Sequence, residues 1–65
     1  MSQAILRLPK VKSVTGLSRS SIYLKVAKGT FPKPISLSER AIGWLESDVN
    51  EWISERVKYT REHRS

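Results

Sequence analysis

Apolar residues recur along this chain at two different spacings, and each spacing marks a different kind of element. Ile5-Leu6-Arg7-Leu8 is a short apolar run that suits a strand or an extended lead-in. Pro9 favours the first turn of a helix, so residues 10–15 read as helix one, with Val11 and Val14 three apart and facing inward. A helix of about two turns has no independent stability and has to lean on its neighbour. That neighbour lies in the stretch TGLSRSSIYLKVAKG, residues 15–29. Gly16 gives the backbone freedom for a sharp helix-to-helix turn, with Leu17 tucked beneath it. Ser18 stands where an N-cap belongs, its hydroxyl placed to accept from the amide of Ser20 or Ser21, and Gly29 closes the helix. On a helical wheel Ile22 and Val26 mark the buried stripe. Ser20, Leu24, Ala27 and Lys28 fall on the far side, with Arg19 and Tyr23 on its flank.

Beyond Gly29 the pattern changes. Pro32 and Pro34 forbid helix and push Phe31 and Lys33 into extended geometry, with Phe31 expected as a core plug beneath the turn. Ile35-Ser36-Leu37 alternates apolar and polar, and Ala41-Ile42-Gly43-Trp44 does so less cleanly. Two short strands about a three-residue tip, Ser38-Glu39-Arg40, make a hairpin or wing. From residue 45 to 59 the helical period returns. Val49, Trp52, Ile53 and Val57 form its inward stripe, and Ser47 or Asp48 is placed to satisfy the leading amides. Trp52 and Trp44 are expected to supply much of the core. The expected architecture is mainly α with a small β-hairpin: a winged helix-turn-helix of three helices and a short wing, in one domain over residues 1–58. Residues 59–65 are expected to form a basic tail without regular structure.

Charge sharpens this picture. The chain has 65 residues and a formal net charge of +6. Residues 1–38 hold seven cations and no acid, whereas all six acids lie in residues 39–65. A small helical domain with one half so basic expects a polyanion, most often nucleic acid. The cations are spread over several short elements rather than one long amphipathic face, which argues against a membrane-surface helix. The chain has no cysteine, so disulfides and thiolate metal sites are excluded. The apolar runs are too short to span a bilayer, and MSQAILRLPK lacks the apolar centre of a signal peptide, so a cytoplasmic, nucleoid-associated protein is expected.

The outer side of helix two carries hydroxyls, a phenol, cations and small apolar groups, but no acid. Such a surface suits the major groove of double-stranded DNA, where base edges and phosphates are met together. Arg19, Ser20, Ser21 and Tyr23 are the candidates for mixed phosphate and base contacts. Lys25, Lys28 and Lys33 are candidates for neutralising phosphates, and Arg40 for reaching a phosphate or narrow minor groove from the wing. The alternative for Arg40 is a solvated arginine paired with Glu39. Catalytic chemistry finds no constellation. His63 is the only histidine, with no second ligand at metal spacing, and Ser18, Ser20 and Ser21 have no adjacent base. No enzyme activity, cofactor, metal or small-molecule substrate is expected. A competing class is a small protein-interaction adaptor that grips an integrase or polymerase subunit through the Trp52 helix or the basic face.

Several ordered blocks carry a family likeness: TGLSRSSIY, then GTFPKPISL, then Arg40, Gly43-Trp44 and DVNEWI at 48–53. Together they cover roughly residues 4–57 and resemble the AlpA family of prophage regulators, which looks like a branch of the MerR-like and excisionase-like winged helix-turn-helix proteins. The resemblance implies that helix two is the recognition helix and the hairpin the wing. It also implies a sequence-specific regulator of a prophage or integrative element, one that activates integrase expression or acts as an excisionase-like directionality factor. Copies binding side by side on adjacent DNA sites would belong to the second role. Two departures stand out. Leu37-Ser38-Glu39-Arg40 lacks the glycine that family wings often carry before the arginine. Leu24-Lys25 is an order that varies among relatives, and it leaves open which of the two faces the duplex.

Overall fold

The computed structural model describes residues 4–63. Its elements follow the order β1 (Ile5–Leu6), α1 (Leu8–Thr15), α2 (Arg19–Lys28), β2 (Ile35–Ser38), β3 (Ala41–Leu45) and α3 (Glu46–His63). The three helices and the hairpin form a winged helix-turn-helix. The strands make one small antiparallel sheet in the order β1-β3-β2, so the lead-in does more than precede helix one. It pairs with the far strand of the wing, Ile5 opposite Leu45 and Leu6 opposite Trp44. That pairing ties β1 to the wing and gives the hairpin the third strand that independent stability requires.

Local chemistry explains each boundary. α1 starts two residues earlier than the Pro9 signal suggested, with Pro9 inside its first turn and the Arg7 carbonyl accepting from Lys10 and Val11 at 3.0 Å each. Gly16 ends it in the left-handed region at φ 73°. Thr15 braces the turn with one hydroxyl, which donates to the Val11 carbonyl at 2.7 Å and accepts from the Leu17 amide at 3.2 Å. Leu17, half-buried, packs against the core beneath that turn. Gly29, at φ 78°, ends α2, where its amide donates to the Val26 carbonyl and the Thr30 amide to that of Lys25. These two bonds form the paired C-terminal closure that a left-handed glycine makes possible.

The core comprises Leu6, Val11, Ile22, Phe31, Trp44 and Val49, with Leu8, Leu17, Val26, Ile42, Trp52 and Ile53 packed on it. Every element except β2 therefore contributes a buried side chain, which is how a domain of this size closes a core without a disulfide or metal. Phe31 is buried as expected and sits between the two indoles, edge-on to Trp44 at 6.4 Å and to Trp52 at 4.9 Å. Trp44 is fully buried and donates its indole N–H to the Pro32 carbonyl at 2.8 Å. Trp52 is only half-buried, and its N–H reaches the Thr30 carbonyl at 2.8 Å. The centre of the core is thus Trp44, and Trp52 closes its edge while fixing the linker.

Four details differ from the sequence expectation. Val14 and Val57 are 41% and 43% exposed rather than inward-facing. Neither is among the residues packed on the core, so the helical spacing continues beyond the buried positions. Leu45 ends β3 instead of opening the third helix, and the Glu46 amide donates to the Ala4 carbonyl at 2.8 Å. The first donor of α3 is met by the extended segment beside β1 rather than by Ser47 or Asp48, both of which lie within the helix. Ser38 belongs to β2 and pairs with Ala41, leaving a two-residue tip, Glu39-Arg40. A register shift between Ser36 and Ser38 leaves Leu37 as the extra residue of a bulge in a wing that has no glycine before Arg40. Finally, α3 continues as helix through residues 59–63, where a tail without regular structure was expected; Arg64 and Ser65 lie outside the described residues.

Candidate nucleic-acid interface

The interface is built on α2, and the first thing that fixes α2 is its N-cap. The Ser18 hydroxyl accepts from the Ser21 amide at 3.2 Å and donates to the Ser21 hydroxyl at 2.9 Å, with the Ser20 hydroxyl 3.3 Å away. Of the two amides that the sequence left open, the structure selects Ser21. Replacing the cap, Ser18→Ala, is expected to cost about 1 kcal/mol, lowering the thermal midpoint by roughly 4–8 °C. A melt followed by circular dichroism measures it. An unchanged midpoint would mean that α2 does not depend on its cap.

With both ends pinned, α2 buries Ile22 and half-buries Val26, which fixes what faces out. Arg19, Ser20, Tyr23, Leu24, Ala27 and Lys28 are all exposed. Arg19 lies over the Tyr23 ring with its guanidinium carbon 5.7 Å from the centroid, a contact one helical turn long that holds both side chains along the surface. Ser21 is half-buried and engaged with the cap, so it stands at the margin of the outer face. Lys25 is also half-buried, on the side nearer the core, whereas Leu24 is 56% exposed. Of the pair Leu24-Lys25, the leucine is therefore the more exposed.

The other candidates lie off α2. Lys33 is exposed in the extended linker between Pro32 and Pro34, and Arg40 is exposed at the two-residue tip of the wing. Arg7, Lys10 and Lys12, which sequence reasoning left out of the candidate set, are exposed on and beside α1. The acids are elsewhere. Five of the six belong to α3, and the sixth, Glu39, shares the wing tip with Arg40. Asp48, Glu51 and Glu55 rim an open cleft of about 420 Å³ floored by Phe31, Pro32 and Trp52. Cations thus stand without acids on the helix-turn-helix, whereas α3 mixes five acids with Arg56, Lys58 and Arg61. A segment that carries cations and no acid attracts a polyanion.

Hydroxyls, an aromatic ring with a cation laid on it, a lysine and two apolar side chains now share one solvent-facing strip about two turns long. Their chemistry is donor-rich and free of carboxylates, suited to phosphate oxygens and to base edges. It contains no arrangement of acid, base and nucleophile, and among the described residues no group of three metal-ligating side chains comes together. No helix among those residues is long and apolar enough to cross a membrane.

Comparison with known proteins agrees with the architecture. Residues 4–57 match the family described as prophage CP4-57 regulatory protein (AlpA). The chain is 42% identical over 55 residues to an uncharacterized protein, ORF88, of Enterobacteria phage P4, covering 85% of this chain and 62% of that one. It is 40% identical over 60 residues to the DNA-binding transcriptional activator AlpA of Escherichia coli strain K12, covering 83% of this chain and 86% of that one. The chain thus spans under two thirds of the phage relative and most of the bacterial one. From the matched blocks and the winged helix-turn-helix they build, the chain belongs to the AlpA family of prophage regulatory proteins.

Proposed function

We propose that this protein is a sequence-specific DNA-binding regulator of a prophage or integrative element, and that it acts by binding rather than by catalysis. One observation carries the reading: the exposed face of α2 has cations, hydroxyls and apolar groups but no acid, although the chain has six acids to place. The kinship with a DNA-binding transcriptional activator supports it. In this reading α2 lies in the major groove, with Arg19, Ser20, Ser21 and Tyr23 making phosphate and base contacts at its start. Lys25, Lys28 and Lys33 neutralise phosphates alongside, and Arg40 reaches the backbone or minor groove from the wing.

The salt dependence of affinity tests the division of labour. Lys28→Ala removes one cation from the exposed C-terminal turn of α2 without touching the core. It is expected to weaken binding to every duplex by a similar factor and to flatten the plot of log affinity against log salt by about 0.9, the value for one phosphate contact. Fluorescence anisotropy on a fixed and a scrambled duplex provides the measurement. An unchanged slope on both would remove Lys28 from the interface.

Two roles are compatible with such a domain: activating integrase expression, and bending or coating an attachment site as an excisionase-like factor with copies on adjacent sites. A circular-permutation bending assay on the element's attachment DNA separates them. Of the two grips an adaptor would use, the Trp52 helix and the basic face, the first loses support because the Trp52 side chain is engaged with Phe31 and Thr30.

A further inference from the structure

Leu24 is the most exposed large apolar side chain among the described residues, and it stands in the middle of the face that should be most polar. Single exposed leucines are common on protein surfaces, so exposure alone argues little. Placement argues more. Leu24 is one turn beyond Ser20, one turn before Lys28, and next to Tyr23, with Ala27 three residues on along the same side of α2. Its neighbour Lys25 is half-buried and leaves the more exposed position to the leucine. A helix that only tracked the backbone of a polyanion would gain from the reverse arrangement, since a branched aliphatic side chain neither donates a hydrogen bond nor carries charge.

One group in the major groove rewards an aliphatic side chain: the C5-methyl of thymine, which distinguishes that base from cytosine on the groove's edge. Ala27, exposed three residues on, is small and offers a second apolar contact. Tyr23, with Arg19 over its ring at 5.7 Å, flanks Leu24 on the same side as Ala27. We infer that Leu24, with Ala27, is a specificity-determining contact that reads a thymine methyl in the target duplex. This inference rests on the DNA-binding reading above and adds to it a base type, a single atom group and the residue that meets it.

The test deletes the methyl and the leucine in turn. The probe is the duplex enriched from a random pool at physiological salt, prepared with each thymine replaced singly by uracil, which lacks only that methyl. Wild type is expected to lose about fourfold in affinity at one thymine, the worth of burying one methyl-sized group. Leu24→Ala should bind the unmodified duplex more weakly and respond to that same uracil by less than about twofold, because the partner of the methyl is already gone. Leu24→Gln, which keeps the length and helix propensity of the side chain, should behave likewise and guards against a loss of folding in the alanine variant. If wild type tolerates uracil at every position, or if both variants remain as sensitive to it as wild type, the inference is overturned while sequence-specific binding stands. If no sequence is enriched, the DNA-reading proposal itself fails, and this inference fails with it.

Discussion

Trp44→Ala is expected to leave the domain largely unfolded at room temperature. The indole is fully buried, edge-on to Phe31, and donates to the Pro32 carbonyl, so truncation removes the largest side chain of the core and the tie between β3 and the linker. Replacing a buried Trp by Ala costs about 3–5 kcal/mol. A single core in a domain of this size rarely supplies more than ~3–5 kcal/mol of net stability, so the two quantities nearly cancel. Trp44→Phe retains much of the apolar volume but takes away the donor to Pro32. It should fold with a loss of about 1–3 kcal/mol. Urea titrations of wild type and both variants give the comparison. A cooperative transition for Trp44→Ala close to that of wild type would show that the core is not centred where we place it.

The second large effect concerns recognition. Arg19 is exposed in the first turn of α2 and steadied by the Tyr23 ring, which orders its long side chain before any partner arrives. An arginine in this position that reads a guanine edge is worth about 1–3 kcal/mol of discrimination. Arg19→Ala should therefore cut affinity for the selected duplex by roughly 5- to 150-fold. Random duplex should lose only the share due to one cation, so the gap between specific and non-specific affinity narrows. The thermal midpoint should fall by no more than about 2–8 °C, since exposed contacts of this kind contribute about 0.5–1 kcal/mol. Equal losses on specific and random DNA would reassign Arg19 to the phosphates.

Much of this molecule was legible in its sequence because the signals are local. Gly16, Ser18 and Gly29 bound α2 through backbone geometry and a hydroxyl cap, both properties of a few consecutive residues. Ile22 and Val26 then fixed which side faced out, and the candidate face followed. The departures arise where partners are distant in the chain. Nothing near Ile5 announces that it will pair with Leu45, or that the Ala4 carbonyl will receive the Glu46 amide. Gly43 lies on β3, the central strand between β1 and β2. A β-carbon there would fall 2.6 Å from the Ile5 Cγ2 and 3.2 Å from both Leu37 Cδ1 and the Leu6 carbonyl oxygen. That crowding is a property of the assembled sheet, not of any window of residues.

Periodicity also overreached. Val14 and Val57 keep the helical spacing of their buried neighbours but are exposed, and only the packed arrangement shows which positions are covered. Both tryptophans join the core, but only Trp44 is fully buried, where Phe31 and the linker pack against it. At the candidate site the wheel placed Leu24 on the outer side, yet attention went to the charged and hydroxyl residues. The signal that was missed is an aliphatic residue in the centre of a polar face, with its lysine neighbour half-buried.

The central claim is that the acid-free face of α2 lies along a DNA duplex. Backbone amide shifts of the full chain, followed by NMR as duplex is added at physiological salt, test it residue by residue. The account predicts the largest changes at Arg19, Ser20, Tyr23, Leu24, Ala27 and Lys28, a smaller set at Arg40, and none along the acidic side of α3 at Asp48, Glu51 and Glu55. Changes concentrated on α3, or a titration in which α2 is unmoved, would contradict it.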